Sequence, residues 1–284
     1  MKSDRWDVNS PGFSEIDRVS HSGNSGEGEF AHSLNLTDIH SGWTESRALL
    51  GKSQVAVQQA LDEIEKGLRF PLPGVDLDDG SEFINWHLQS WCEPKTIQLT
   101  RGRPYQKDDK AHLEQKNWTP VRKLLGWGGY DSPAAVEAIA DLYRHELRLW
   151  QNLDLPAAKL VKKVRVGSKV RRVYDAAQTP LQRVLACGQC RKDQAAELTK
   201  LHQSLDPFQL GKVIDQELER IYKRPNRRLS PKATPESQAA HSKEKTQRSR
   251  RNGGGKAAPT AATTAGLRLH FQCLDDRPQA YILQ

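Results

Sequence analysis

Three stretches that read as β-strands come before anything that reads as a helix, and strands and helices alternate from there. That order is the strongest constraint the chain places on its own fold. Phe13-Ser14-Glu15-Ile16-Asp17-Arg18-Val19 alternates apolar and polar residues with period two, the signature of a half-buried strand. Glu29 to Asp38 and Trp43 to Leu49 read as two further strands, and Ile39-His40-Ser41-Gly42 between them reads as a hairpin turn. Ser53 then caps a helix reaching Gly67, with Val57, Leu61, Ile64 and Leu68 on one face. Pro71 to Leu77 leads into a buried strand, Ser81 opens a second helix, and Thr96 to Thr100 is a fifth short strand. A third helix is expected from about Asp109 to Leu125. A fourth, capped by Ser132 with Pro133 in its first turn, should reach about Asn152. The order β-β-β-α-β-α-β-α-α predicts a mixed α/β sheet with helices packed on it.

Beyond Pro156 the pattern changes. Val161 to Val173 predicts a basic hairpin turning at Gly167-Ser168, and Thr179 to Leu185 and Lys192 to Tyr222 read as helical. Ser230 to about Gly266 has linker composition, with a Gly253-Gly254-Gly255 run, and is expected to be disordered. Four units follow: a flexible N-terminus (1–10), a core (11–155), a basic C-terminal region (156–229) and a disordered linker and tail (230–284). The net charge is +8, and its distribution is uneven: Lys159 to Arg228 holds 17 Lys/Arg against 7 Asp/Glu. A near-neutral body with a basic appendage suits a protein that does chemistry on a polyanion and holds it elsewhere. Four cysteines do not make a disulfide framework at this length, and Cys187-Gly-Gln-Cys190 has no second pair to complete a zinc site. No apolar run approaches the roughly 18 residues needed to span a bilayer, and MKSDRWDVNSPG lacks a signal peptide's apolar stretch. No membrane partner is expected.

Three acids stand out. Asp17 lies in the first strand, Asp78 follows the apolar strand ending at Leu77, and Glu114 lies in the third helix. Strand ends hold a ligand rigidly, and a helix face can aim a third at the same point. Hard cations such as Mg²⁺ take oxygen ligands of this kind. Two ions about 3.5–4 Å apart can assist phosphodiester cleavage. Singly, each acid has an ordinary explanation: a turn residue before Gly80, a solvent-facing strand position, a solvated helix face.

In combination, Phe13 to Asp17 followed by Leu36-Thr-Asp-Ile-His-Ser-Gly-Trp43-Thr-Glu45 resembles the opening hairpin of retroviral-integrase-like transposase cores. Leu77-Asp78-Asp79-Gly80-Ser81-Glu82-Phe83 resembles that superfamily's D-N-G-S-x-F element, with Asp79 where Asn is common. Thr100 to Tyr105 and His112 to Asn117 resemble the approach to its catalytic Glu. Thirty-five residues separate Asp78 from Glu114, the D-D-35-E spacing. The resemblance is to integrase-core transposases of bacterial insertion sequences, close from Pro11 to Asn152 and looser to about Tyr222.

That resemblance implies an RNase H-like mixed five-stranded sheet flanked by helices, with the basic appendage behind it. Asp17, Asp78 and Glu114 would be the catalytic residues and would bind two Mg²⁺ or Mn²⁺ ions. The implied activity is DNA end cleavage and strand transfer. The partners would be element ends and target DNA, the assembly a homo-oligomer, and the location cytoplasmic, on the nucleoid when acting. Arg101, Arg103 and Lys107 are expected to grip backbone phosphates. Lys110 and Asn117 share the helical face of Glu114 and are candidates for DNA contact near the ions. Family members carry helix-turn-helix segments upstream of this strand, so a truncated, catalytically silent DNA-binding remnant is the alternative expectation.

Overall fold

The structure, a computed structural model, describes residues 10–77, 82–101 and 121–224, with the backbone alone at 82–85 and 101. Strands β1 (Phe13–Ser20), β2 (Ala31–Asp38) and β3 (Thr44–Leu50) form an antiparallel meander, with Ser14 opposite Asp38 and Ala31 opposite Leu50. The β2–β3 turn closes on a buried carboxylate. Asp38 accepts from the Gly12 and Ser41 amides, both at 2.6 Å, and Gly42 turns the chain at φ 75°. Strands β4 (Gly74–Leu77) and β5 (Gln98–Arg101) run parallel to β1, giving the order β3-β2-β1-β4-β5. This is the mixed, five-stranded RNase H-like sheet expected from the sequence. Gly74 permits the close β1–β4 contact, since a Cβ there would stand 2.7 Å from the Phe13 ring.

Helix α1 (Gln54–Gly67) begins where Ser53 accepts from the Ala56 amide at 3.2 Å. Its Val57, Ala60, Leu61 and Ile64 stripe packs on Ile16, Leu34, Leu36, Val75 and Leu77. Helix α2 (Glu82–Cys92) adds Leu88, Trp91 and Cys92 to the same core. Helix α3 (Pro133–Arg144), capped by Ser132, lies on the opposite face, where Ile139, Leu142 and Tyr143 meet Ala31, Ala48 and Leu50.

The sequence predicted one helix from Pro133 to about Asn152, but α3 ends at Arg144. His145 leaves helical geometry at φ −114°, ψ −96°. The chain resumes as Glu146–Leu149 and a wide turn, Trp150–Asp154. The physical reason is tertiary. Arg148 Nε reaches the Glu45 carboxylate at 2.7 and 2.9 Å, and Arg148 Nη2 donates to the Gly67 carbonyl at 2.8 Å. Asn152 exchanges two 2.8 Å hydrogen bonds with the Thr44 backbone. These bonds fold the segment around the β3 edge. The segment Lys192–Tyr222, which reads as helical, forms two helices, α5 (Lys192–Ser204) and α6 (Pro207–Tyr222). Pro207 has no amide to continue a helix, and Asp206 instead caps α6 through the Phe208 amide at 2.9 Å. Of the third predicted helix, residues 109–120 lie outside the described residues, and a single turn, Lys123–Leu125, follows.

Helix α4 (Pro180–Ala186) opens with a Thr179–Gln182 capping box. Leu181, Val184 and Leu198 join the α1–α2 core, while Leu210, Ile214, Leu218 and Ile221 of α6 join the α3 core. The basic region therefore packs on the sheet domain, except for one hairpin: β6 (Leu160–Val166) and β7 (Lys169–Tyr174) form a separate two-stranded sheet. Among the described residues, no helix is long and apolar enough to cross a membrane.

Glu45 is fully buried and also accepts from Trp43 Nε1 at 2.9 Å and Arg47 Nη1 at 3.5 Å. Removing it leaves the partly buried Arg148 without a carboxylate and Arg47 with Glu63 alone. Glu45→Ala is expected to lower unfolding free energy by about 3–5 kcal/mol. Glu63→Ala, which removes a half-exposed partner of Arg47 and Arg144, should cost about 1 kcal/mol or less. Urea unfolding of both variants checks the contrast.

Candidate functional site

Side chains alternate across a pleated strand, so Glu15 and Asp17 share one face of β1. It is the face on which α3 packs, but α3 covers the β2–β3 half of it. The β1–β4–β5 half is polar. Glu15 lies in register with Asp76 of β4, and Asp76 with Thr100 of β5. Thr100 Oγ1 donates to Asp76 Oδ1 at 2.6 Å, which fixes that carboxylate. Asp17 is half-buried, and its Oδ1 accepts from the Arg18 amide at 2.6 Å.

The β1–β4 register aligns Leu77 with Ile16, the residue before Asp17, and Leu77 with Arg101. Strands β4 and β5 therefore end side by side at the level of Asp17. Ligands of open α/β sheets gather beyond the carboxyl ends of parallel strands. Asp78 follows Leu77 in the chain but lies outside the described residues, as do Glu114, Arg103, Lys107, Lys110 and Asn117. Arg101 is the last residue of β5, described by its backbone alone. Among the described residues, no three His, Cys, Asp or Glu side chains are grouped to hold a metal ion, and Asp17 is the described member of the expected trio.

Several residues at this end were not singled out from the sequence. Glu15 and Asp76 each stand two positions before an expected ligand, so strand periodicity alone puts them on that ligand's face. Arg122 had no such signal, because its place depends on how the chain returns to the sheet after residue 120. Its guanidinium lies 4.4 Å from the ring centre of the exposed Trp127. Burial pushes the Arg122 guanidinium below its ordinary value, while the charge of Asp17 pulls it back up. Arg122 is thus a cation within electrostatic range of Asp17.

Behind Asp17 runs a buried polar chain linking the sheet to α3. His21 Nε2 lies 2.7 Å from Ser33 Oγ, which lies 2.7 Å from the Tyr143 hydroxyl. The His21 ring meets Tyr130 edge-on at 5.9 Å, and His21 N and O pair with Ala31 O and Tyr130 N. Burial, followed by the charges of Arg122 and His32, pushes His21 down to about 3. Burial, then Arg18 and Lys52, takes His32 down to about 4. Both imidazoles are neutral at physiological pH, so this layer adds no positive charge beside Asp17.

No family model matches the chain. It is 39% identical over 178 residues to the uncharacterized protein y4rM of Sinorhizobium fredii, covering 63% of this chain and 51% of that protein. The chain thus spans about half the length of this curated relative. Among solved structures it is similar to the catalytic core domain of BIV integrase, at 15% identity and a TM-score of 0.38, over 66% of this chain and 97% of that one.

The neutral His21 makes a pH prediction. In the unfolded chain a histidine protonates near pH 6.5, whereas folded His21 stays neutral down to about pH 3. The unfolded state binds more protons across that window, so acidification below pH 6.5 destabilises the fold. His21→Gln is expected to reduce the slope of unfolding free energy against pH, between pH 4 and 6, by about 1.4 kcal/mol per pH unit. Denaturant titrations at several pH values read it; parallel wild-type and variant lines would refute the burial argument.

Proposed function

We propose that this chain is the catalytic core of a DDE-type DNA transposase or integrase, cutting element ends and transferring them to target DNA. The observation that carries the reading is the β1–β4 register. Leu77, the last residue of β4, stands opposite Ile16, the residue before Asp17. Asp78 follows Leu77 in the sequence, and 35 residues separate it from Glu114. An acidic sheet face with Asp17 half-exposed has the oxygen-donor chemistry that suits hard divalent cations.

On this reading Asp17, Asp78 and Glu114 hold two Mg²⁺ or Mn²⁺ ions. Bound there, such ions supply activation of the attacking oxygen and charge neutralisation at the leaving oxygen. The chain's own residues do the positioning. Asp17 sits on the central strand, flanked by β2 and β4, so its backbone is fixed from both sides. Arg101, Arg103 and Lys107 grip backbone phosphates. Lys110 and Asn117, four before and three after Glu114, work on the same helical face. Arg122 supplies a nearby cation for the DNA strand. Assembly into a homo-oligomer would bring two DNA ends together.

The test is Mn²⁺-dependent nicking and strand transfer on supercoiled plasmid, comparing wild type with Glu114→Gln and Asp17→Asn. Each variant keeps side-chain size and removes one ligating charge. Loss of activity by about two orders of magnitude or more in both is expected, since a metal ion contributes several kcal/mol to such a transition state. Equal activity in all three proteins would place the chemistry elsewhere. Binding without nicking in the wild type would make the chain a silent DNA-binding remnant.

A further inference from the structure

The β6–β7 hairpin stands outside both hydrophobic cores. From Lys162 to Arg172 it carries Lys162, Lys163, Arg165, Lys169, Arg171 and Arg172, and Leu160 to Tyr174 contains no acid. Both faces are open. All of 161–172 is exposed, and Val161, Val166 and Val170 are each more than half exposed. No described carboxylate forms an ion pair with Lys162, Arg165, Lys169, Arg171 or Arg172 among the described residues. A two-stranded hairpin with nothing packed on it is marginal in water, so a partner surface is expected to complete it.

Its root, by contrast, is fastened. Ala157 and Gln178 bridge below the strands. Arg183 Nη2 donates to Asp175 at 2.9 Å and to the Ala157 carbonyl at 2.8 Å. Lys159 Nζ donates to the Ile39 carbonyl at 2.8 Å and to that of His40, tying the root to the β2–β3 turn. That turn lies at the start of β1, four residues from Asp17, or about 13 Å along the strand.

We infer that β6–β7 is an arm that docks into the major groove of duplex DNA flanking the reacting phosphate. This rests on the reading of the chain as a DNA-processing core. Charge complementarity selects the occupant. Six cations on one ribbon match the phosphate rows on either side of a groove, and release of counterions drives the contact. The size fits: seven residues of β6 span about 23 Å, and two strands about 5 Å apart enter a groove about 12 Å wide. The deep, narrow major groove of duplex RNA does not admit such a ribbon. A second copy of this chain would bring two like-charged arms together against a net charge of +8 on each molecule. The exposed valines supply apolar contact with thymine methyl groups at the groove floor.

The experiment is fluorescence anisotropy of the full chain on a labelled 30-base-pair duplex across a salt series, in EDTA. The triple variant Arg165→Gln, Arg171→Gln, Arg172→Gln alters exposed positions only, and circular dichroism checks its fold. Each lost phosphate contact removes about 0.9 from the slope of log K against log salt. The slope is therefore expected to fall by about 2.7, and affinity at 0.1 M salt by on the order of tenfold or more. Duplex RNA should compete weakly. An unchanged slope overturns the proposal, as does loss of self-association in the variant with DNA affinity intact. Because binding is read without metal, a wild-type chain that binds with the steep slope but never nicks sinks the catalytic reading and leaves the arm standing.

Discussion

A fully buried carboxylate has to be neutralised where it sits, and Glu45 determines how half of this molecule is assembled. Taking one carboxylate out of water costs several kcal/mol, repaid only by close, well-aligned partners. Its partners come from separate parts of the chain: Trp43 and Arg47 beside it on the meander, and Arg148 a hundred residues later. Arg148 reaches Glu45 only if the segment after α3 leaves its helical course at His145 and wraps the β3 edge. The same arginine then satisfies the Gly67 carbonyl at the end of α1, where a larger residue would press on Glu45. One charge thus covers an edge strand, whose unpaired backbone is otherwise open to association, and locks both helical layers to it.

Covering the sheet from the β3 side has a consequence at the other edge. Helix α3 occupies the β2–β3 half of its face, so Glu15, Asp17, Asp76 and Thr100 lie on the half it leaves. Acidic side chains set two residues apart on neighbouring strands repel one another unless cations lie among them. Arg122 is a cation within electrostatic range of Asp17, whereas buried His21 and His32 are neutral. The fold therefore gathers negative charge at a half-open place on its central strand, which is the electrostatic condition for drawing in divalent cations on the proposed reading.

The elements that could be read from the sequence are those whose cause is local. The alternation of Phe13 to Val19 and the Ser53 cap with its apolar stripe gave strand and helix within a residue or so of their observed positions. Strand β4 starts only at Gly74, because Pro71 and Pro73 cannot donate to a ladder. Strand β5 starts two later because Thr96 sits at φ 56°, in the left-handed region, where a strand cannot pass. The helix breaks at His145 and Leu205 show the same division. Pro207 is a local break signal in the sequence itself, whereas the pull of Glu45 on Arg148 exists only after folding. The place of Asp17 on the first strand is legible in the strand pattern. The nearness of Arg122 is not, because nothing local says that residue 122 comes within electrostatic range of residue 17.

The charge pattern follows the same logic of local and distant causes. Basic residues in 180–224 are interspersed with acids and pack on the two cores, so their charge is partly spent within the domain: Arg183 on Asp175, Arg220 on Glu217, Lys223 on Glu219. The cations of β6–β7 have no acid in their own strands to meet. A ribbon of this kind gains nothing for the isolated fold. It adds self-repulsion, and several of its valines stay more than half exposed. Its root, however, is held by a buried Arg183 and by a lysine whose burial pushes it below its ordinary value, both arrangements that cost desolvation. On the proposed reading, the cost of holding this ribbon is offset when duplex DNA fills the space beside it.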